Sequence, residues 1–221
     1  MINCVTFYWN DGHDCPFNAD YVNRLFNSVD RNMTAPHRNI CFTDLPDGIR
    51  EGIEIRPLVT RDWLRNLKKL VQFDPANGFE GRVLSFDLDN VIVGSLDLFA
   101  QYSGQFAVCG EVSPSRKGKP GGNFLGFSAG FGAKSIWQKV FNNYNYYKKE
   151  TNGFERYLFD LLVNRKKMDF WNDMYPGSIA SYKVHIRKGA MTDFSNVRMV
   201  WCHGKPNPHE IQDGWIRKHW R

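Results

Sequence analysis

The stretch that decides the fold is "RVLSFDLD", residues 82–89, in which an apolar run ends in two aspartates. The run "VLSF" (83–86) is nearly continuous and does not alternate between apolar and polar residues. Strands of a parallel sheet have this pattern because helices cover both of their faces. Ligands of open α/β sheets bind beyond the carboxyl ends of such strands. Asp87 and Asp89 therefore lie where a binding site is expected.

The segments before this stretch alternate between strand and helix signals. Strands are predicted over residues 3–9, 38–45 and 52–58, and helices over residues 19–33 and 62–73, where apolar residues recur at helical spacing. The order strand–helix–strand–strand–helix–strand predicts parallel pairing through crossover helices, which is an α/β fold.

The second half of the chain is less regular. Strands are predicted over 104–110 and 123–131, two helices over about 134–148 and 153–164, and weaker strands within 179–186 and 198–203. No internal repeat, long linker or domain boundary is visible in the sequence. A single domain is therefore expected.

Composition sets broad limits on the protein. Its 221 residues are 42% hydrophobic and 24% charged, as in soluble globular proteins. No apolar run approaches the roughly 20 residues that cross a bilayer, and the first residues lack the features of a signal peptide. A cytoplasmic location is therefore expected. The five cysteines are scattered without a C-x-x-C pair, which favours reduced thiols packed in the interior.

The spacing of Asp87 and Asp89 carries a chemical prediction. In an extended chain, side chains two residues apart point to the same side, so these carboxylates repel each other unless a cation lies between them. Carboxylate oxygens favour Mg²⁺ or Mn²⁺, which commonly also bind phosphates. The alternative is that one aspartate caps the next element and the other is solvated. The net charge of +6 agrees with an anionic partner.

The segment "SFDLDNVIV" (85–93) resembles motifs of two metal-dependent families. One is the haloacid-dehalogenase phosphatases, where the first aspartate is the nucleophile and the second a general acid. The other is the GT-A glycosyltransferases, above all the glycogenin-like group, to which the longer stretch "GRVLSFDLDNVIVGSLDLFA" (81–100) is similar. Taken alone, the motif does not choose between them.

The context of the motif favours the glycosyltransferases. About 85 residues of β-α-β character precede it, and no later acidic pair resembles the one that completes the phosphatase site. Near the C-terminus, "HGKP" (203–206) resembles a shortened form of the glycogenin-like "H-x-x-G-x-K-P" segment. The resemblance implies one GT-A domain over 1–221, Rossmann-like, with a mostly parallel central sheet flanked by helices. Residues 1–110 would bind the nucleotide and residues 111–221 the acceptor.

The same resemblance implies a metal and diphosphate site. Asp87, Asp89 and His203 would bind Mn²⁺ or Mg²⁺, and a neutral imidazole beside two carboxylates favours Mn²⁺. Gly204 would permit close approach of the backbone, and Lys205 would neutralise the diphosphate that leaves. Asp89 and Lys205 are thus candidate catalytic residues.

Other positions resemble the donor-binding residues of the family. Trp9 would stack on the base and Asn10 would contact the base or ribose. Lys69, in "LKKLVQF" (67–73), would point toward the nucleotide-sugar. The alternatives are core packing for Trp9 and a solvated helix face for Lys69.

Two candidates belong to the second half of the chain. Asn123, in "PGGNFLGFSAG" (120–130), would lie at the donor sugar. Glu155 would contact the sugar, or act as a catalytic base if the reaction inverts the anomeric carbon. The alternative for Glu155 is a carboxylate favoured by the dipole at a helix N-terminus.

The resemblance implies a metal-dependent hexosyltransferase, similar to small phage or bacterial enzymes, with a UDP-sugar donor and retention of configuration. The acceptor would be a glycan, a glycolipid at a membrane surface, or a modified base in phage DNA. The basic loop at 116–119 and the tail "WIRKHWR" (215–221) would face an anionic acceptor, unless they are only a solvated basic surface.

Two rival functions remain open from the sequence. A haloacid-dehalogenase-type phosphatase would use Mg²⁺ and form an aspartyl-phosphate at Asp87. A non-catalytic basic module would bind glycans or nucleic acid, and its binding would survive EDTA and the change Asp89→Asn.

Overall fold

The structure, a computed structural model, describes residues 1–10, 16–112, 114–190 and 193–221. The strands are β1 Ile2–Tyr8, β2 His37–Thr43, β3 Ile53–Arg56, β4 Arg82–Phe86, β5 Asn90–Ile92, β6 Phe106–Gly110, β7 Pro120–Ser128, β8 Asp169–Phe170, β9 Ile179–Ser181 and β10 Met199–Trp201.

Helices connect and cover these strands. The α-helices are α1 Ala19–Asn32, α2 Asp97–Ala100, α3 Lys139–Asn142, α4 Tyr144–Thr151, α5 Glu155–Leu162, α6 Trp171–Met174 and α7 Gly214–His219. The 3-10 helices are Arg65–Phe73, Pro75–Asn77, Pro114–Arg116, Arg165–Lys167 and Pro208–Glu210, and the π-helical turns are Ala133–Gln138 and Tyr182–Ile186.

A seven-stranded sheet in the order β3-β2-β1-β4-β7-β6-β8 forms the centre of the molecule. Every neighbouring pair is parallel except the two pairs made by β7, which runs against β4 and β6. A smaller sheet in the order β5-β10-β9 lies beside it. The predicted α/β class with a mostly parallel central sheet is confirmed.

Two hydrophobic clusters cover opposite faces of the central sheet. One includes Leu25 and Phe26 of α1, and the other includes Leu70 of the 3-10 helix and Phe159 of α5. Helix α1 begins at the N-cap Asn18, whose side chain accepts a hydrogen bond from the backbone N–H of Tyr21. Burial of each large apolar side chain contributes about 1.5–3 kcal/mol, so these clusters hold the layers together.

Three predicted elements differ from the structure. The segment predicted as an amphipathic α-helix over 62–73 is the 3-10 helix Arg65–Phe73, and residues 67–73 are all buried, so it has no exposed polar face. The helix predicted over 134–148 is divided at Asn143, whose backbone is not helical (φ −133°, ψ 34°). The segment 182–186, predicted as strand, forms a π-helical turn directly after β9.

The four described cysteines are buried free thiols, namely Cys4, Cys41, Cys109 and Cys202. Burial raises the pKa of each of these thiols, in the case of Cys41 to about 12. These four buried thiols agree with the prediction of reduced cysteines packed in the interior. Cys15 lies outside the described residues. Within the described ranges no helix is long and apolar enough to cross a membrane.

Candidate active site

A cavity of about 530 Å³ opens at the carboxyl ends of β1 and β4. Trp9, Asp87 and Asp89 line it directly after these two strands, and Gly204, Lys205, Asn207, His209 and Glu210 also line it. The remaining lining residues are Phe7, Pro16, Phe17, Asn66, Lys69, Phe86 and Leu88. Its position is the one that the strand order of an open α/β sheet favours for ligands.

The backbone around Asp87 is held by hydrogen bonds from neighbouring strands. Thr6 Oγ1 donates to the carbonyl oxygen of Phe86 at 2.9 Å. The N–H of Asp87 donates to the carbonyl oxygen of Asn123 at 2.9 Å, and Asn90 Nδ2 donates to the same oxygen at 2.7 Å. The end of β4 is therefore fixed between β1 and β7, which sets the direction of the two aspartates.

Lys69 lies between two carboxylates at this end of the sheet. Its Nζ is 2.6 Å from Asp87 Oδ1 and 3.2 Å from Glu155 Oε1, and its side chain is only 9% exposed. Burial by itself lowers the pKa of Lys69, but the charges of Asp87 and Glu155 outweigh it and hold the pKa above its ordinary value. Lys69 is therefore a buried ammonium ion, and the alternative of a solvated helix face is wrong.

Glu155 and Asn123 form the inner end of the same cluster. Glu155 is 2% exposed and begins α5. Burial raises the pKa of its carboxyl despite the nearby charge of Lys69. Within the described chain, Glu155 Oε2 has no hydrogen-bond partner, and the buried amide of Asn123 has none apart from a weak interaction with the Cys109 thiol.

The Glu155 carboxylate occupies the space that a side chain at position 122 would fill. A Cβ atom built at Gly122 would lie 2.2 Å from Glu155 Oε1 and 2.8 Å from its carboxyl carbon. Any side chain at this position would displace the Glu155 carboxylate from Lys69. The residue before Asn123 is thus a glycine because the acidic side chain packs directly on its backbone.

Asp89 lines the cavity beside Asp87 and is partly buried. Its Oδ1 has no partner among the described residues, and burial together with the charge of Asp87 raises the pKa of Asp89 to about 7. The N–H of Cys202 donates to the carbonyl oxygen of Asp89 at 3.2 Å, which ties the end of β10 to this position. Two neighbouring carboxylates, one with an unpartnered buried oxygen, have the donor atoms that a hard divalent cation requires.

His203 directly follows Cys202, but its side chain contacts Ser181 and not the two aspartates. Its Nε2 is 2.9 Å from Ser181 Oγ, and its ring lies 4.4 Å from the ring of Trp201. Burial and the charge of Lys183 lower the pKa of His203, so the ring is neutral at neutral pH. The described ranges contain no assembled group of three His, Cys, Asp or Glu side chains for a metal. The set Asp87, Asp89 and His203 stays a prediction.

The segment after His203 forms another part of the cavity wall. Gly204 has φ +68°, a backbone conformation that favours glycine, and a Cβ there would lie 2.8 Å from the mobile end of the Lys183 side chain. Lys205 and Asn207 face the cavity. Glu210 Oε2 accepts hydrogen bonds from the N–H of Asn207 at 2.6 Å and from its Nδ2 at 3.0 Å, which fixes this wall.

Of the two residues predicted to bind the base, Trp9 lines the cavity and Asn10 does not. Trp9 lines the cavity, and Lys68 Nζ lies 5.7 Å from the centre of its ring. Asn10 is exposed and does not line the cavity. The next residues of that predicted loop, Asp11 and Gly12, lie outside the described residues.

Several lining residues were not predicted from the sequence. They are Phe7, Pro16, Phe17, Asn66, Phe86, Leu88, Asn207, His209 and Glu210. The three last follow directly on "HGKP", so extension of that motif by four residues would have found them. The others are apolar or lie in a loop and a 3-10 helix, and no local pattern distinguishes them from core residues.

Comparisons with known proteins agree with this geometry. No protein-family model and no curated protein matches the sequence significantly. Among solved structures, an active-site mutant of LgtC superposes with a TM-score of 0.69 at 11% identity, over 97% of this chain and 93% of that one. The galactosyltransferase LgtC in complex with donor and acceptor sugar analogues gives a TM-score of 0.66 at 12% identity over the same shares.

A third structure is the glycosyltransferase GlyE of Streptococcus pneumoniae TIGR4, with a TM-score of 0.66 and 12% identity. The match covers 96% of this chain, which spans only 57% of the GlyE chain. Similarity at this level of identity shows a common fold. The chain has the GT-A glycosyltransferase fold, with its cavity at the end of the strand that precedes Asp87 and Asp89.

Proposed function

We propose that this protein is a metal-dependent GT-A glycosyltransferase that transfers a sugar from a nucleotide-sugar, UDP-linked, with retention of configuration. The observation that carries the proposal is the cluster of Lys69, Asp87 and Glu155 beside the cavity. Next to it, buried polar atoms of Asp89, Asn123 and Glu155 have no hydrogen-bond partner in the described chain. A buried polar group without a partner costs about 1–3 kcal/mol, so such a group is a natural contact for a polar ligand.

The metal ligands in this proposal are Asp87, Asp89 and His203, with Mn²⁺ or Mg²⁺ as the ion. Bound there, the ion would supply charge neutralisation for the diphosphate that leaves. Asp87 Oδ1 also accepts a hydrogen bond from Lys69 at 2.6 Å, which orients its carboxylate. His203 would exchange its contact with Ser181 for the ion, and its neutral ring leaves a nitrogen lone pair for that purpose.

The diphosphate would lie against the wall that carries Gly204 and Lys205. Gly204 has no side chain there, and the Lys205 ammonium group would place positive charge where the negative charge of the leaving group develops. Trp9 would provide an aromatic face for the base, and Asn10 a polar contact with the base or ribose.

The donor sugar would lie toward Asn123 and Glu155. The free amide of Asn123 and the free Oε2 of Glu155 would bind its hydroxyl groups, and Lys69 would hold Glu155 in place. Because the Glu155 carboxylate is engaged by Lys69, it suits a positioning contact better than a general base, in line with retention. In this proposal residues 1–110 bind the nucleotide and residues 111–221 the acceptor.

A thermal-shift panel of nucleotides with Mn²⁺ or with EDTA tests the proposal. We expect UDP to raise the unfolding temperature only with Mn²⁺, and UDP-sugars to be hydrolysed slowly under the same condition. The change Asp89→Asn should abolish both effects. The matched change Asp62→Asn, at a side chain that is 93% exposed, should leave them intact. Absence of any metal-dependent effect of UDP and its sugars would contradict the proposal.

A further inference from the structure

A row of arginine and aromatic side chains lies next to the candidate active site. The guanidinium carbon of Arg65 is 4.9 Å from the ring centre of Phe154, and that of Arg156 is 4.8 Å from the same ring. Arg156 and Arg116 lie 5.0 and 4.9 Å from the ring centre of Tyr157. Cation–π contacts of this kind hold guanidinium groups in fixed orientations at partly exposed sites. We call these five residues the arginine row.

The arginine row has more positive than negative charge. Glu111 Oε1 is 3.3 Å from Arg116 Nε and 3.5 Å from Arg156 Nε, so one carboxylate serves two guanidinium groups. Neither Nε–H is aligned for a hydrogen bond within the described chain. Arg65 pairs with no carboxylate of the described residues. The row therefore retains positive charge that its own acidic neighbour does not neutralise.

The environment of the Tyr157 hydroxyl shows the same excess of positive charge. Its hydroxyl oxygen accepts hydrogen bonds from Arg116 Nη1 at 3.2 Å and from Arg156 Nη2 at 3.5 Å. These two arginines lower the pKa of the Tyr157 hydroxyl, chiefly through the hydrogen bond from Arg156. The side chains of Arg116 and Arg156 are 30% and 33% exposed, so both are ordered by neighbours and still open to a ligand.

The arginine row is joined to the candidate active site at two points. Arg156 directly follows Glu155, whose carboxylate binds Lys69. Arg65 directly precedes Asn66, which lines the cavity, and Arg65 has the left-handed backbone angle φ +49°. A non-glycine residue in this region is strained and persists where the surrounding structure requires it. The same 3-10 helix then places Lys69 against Asp87.

We propose that Arg116 and Arg156 form a subsite for the phosphate group of a phosphorylated sugar that serves as the acceptor, with Arg65 at the end nearer the cavity. Arg116 and Arg156 meet at the Tyr157 hydroxyl, which holds the two planar guanidinium groups side by side. The N–H donors that Tyr157 and Glu111 do not engage suit a tetrahedral anion. The inference rests on the proposed function, because it assigns the acceptor of that reaction. The inference assigns the binding of the acceptor's phosphate group to two defined arginines, of which Arg116 belongs to the basic loop 116–119.

Calorimetric titration of the full chain without nucleotide tests the anion subsite directly. The probes are glucose 6-phosphate, inorganic phosphate and glucose. We expect glucose 6-phosphate to bind, inorganic phosphate to compete with it, and glucose to show no binding. The double change Arg116→Gln/Arg156→Gln should weaken glucose 6-phosphate binding by about tenfold or more, since charged hydrogen bonds to phosphate are lost.

Two further variants separate the subsite from general charge. Lys166→Gln removes one charge from an exposed lysine that follows α5 and should leave binding unchanged. Arg156→Lys keeps the charge but not the planar fork, and it should give an intermediate affinity. Equal loss in Lys166→Gln, or unchanged binding in the double variant, would overturn the inference. Tighter binding of a short single-stranded oligonucleotide, weakened by Lys166→Gln, would also overturn it by assigning the surface to nucleic acid.

The Mn²⁺-dependent thermal shift with UDP, recorded on the same variants, separates this inference from the proposed function. The double variant should keep the shift, which shows that it is folded, although its unfolding temperature falls because Glu111 loses both arginine partners. A protein that responds to UDP and Mn²⁺ but does not bind glucose 6-phosphate would overturn only the acceptor subsite. A protein that binds glucose 6-phosphate but does not respond to UDP would contradict the proposed function, and with it the role of the subsite as an acceptor site.

Discussion

The buried Lys69 and the partly buried Asp87 form an ion pair with Nζ and Oδ1 2.6 Å apart, although the residues are separated by 18 positions in the sequence. The pair joins the 3-10 helix Arg65–Phe73 to the end of β4. It also holds Glu155 of α5 through the same ammonium group. Three elements from different parts of the chain thus meet at one side chain.

The first prediction concerns the loss of this ammonium group. Lys69→Met should lower the free energy of unfolding by about 2–4 kcal/mol, because the buried Glu155 and the partly buried Asp87 would lose their compensating charge. Urea unfolding measures the loss. The added change Glu155→Gln should recover part of it.

An exposed lysine–carboxylate pair provides the control. Lys119 Nζ is 2.7 Å from Asp160 Oδ2, but the lysine side chain is 47% exposed. Lys119→Met should therefore cost at most about 1 kcal/mol. Equal losses in the two lysine variants would show that the burial of Lys69 has no energetic consequence.

The second prediction concerns the glycine under Glu155. Gly122→Ala should lower the free energy of unfolding by about 1–3 kcal/mol, because its Cβ would lie 2.2 Å from Glu155 Oε1 and the buried carboxylate has little room to move. Gly214→Ala, where nothing lies within 4 Å of the added Cβ, should be neutral or slightly stabilising. In the background Glu155→Ala, the additional cost of Gly122→Ala should largely disappear, and a cost that persists there would argue against this contact.

The third prediction concerns the tail of the described chain. Trp220 is 8% exposed, and its ring lies 4.8 Å from the ring of Tyr21 and 4.7 Å from the guanidinium carbon of Arg24. Trp220→Ala should cost about 3–5 kcal/mol in thermal or urea unfolding. Phe141→Ala, at a ring that is 61% exposed, is the matched control and should cost little. A Trp220 variant as stable as the control would mean that the tail is not docked on α1.

The fourth prediction concerns pH. Burial opposes ionisation of Asp97, but the hydrogen bonds from Thr34 and from the N–H of Ala35 together outweigh it and hold the pKa of Asp97 below its ordinary value. Because the pKa is lower in the folded than in the unfolded protein, this carboxylate stabilises the fold above the unfolded pKa, and the contribution is lost as pH falls through the folded pKa.

Asp97→Asn should therefore destabilise the protein at pH 7 by about 1 kcal/mol and reduce the loss of stability on acidification from pH ~5 to ~3. Urea unfolding across that range gives both quantities. Asp62→Asn, at a side chain that is 93% exposed, should leave the pH profile unchanged. An unaltered acid slope in Asp97→Asn would mean that the hydrogen bonds to Asp97 do not affect its ionisation.

The sequence by itself determined the fold class and the position of the binding edge. The buried pattern of residues 83–86 and the alternation before it predict parallel strands, and β1, β2, β3 and β4 are parallel. This succeeds because burial on both faces leaves a local signature in composition. The same logic placed Asp87 and Asp89 at a strand end, where the cavity lies.

Only the tertiary structure decided which side chains share that edge. The local pattern of Lys69 and Glu155 is equally typical of solvated helix positions, and their burial follows from the packing of α5 on β7 and on the 3-10 helix. The contact of His203 with Ser181 and the row of Arg116, Arg156 and Arg65 depend on distances between segments remote in the sequence. A sequence pattern reports how buried a residue is, whereas the identity of its partners is set by the way the layers pack.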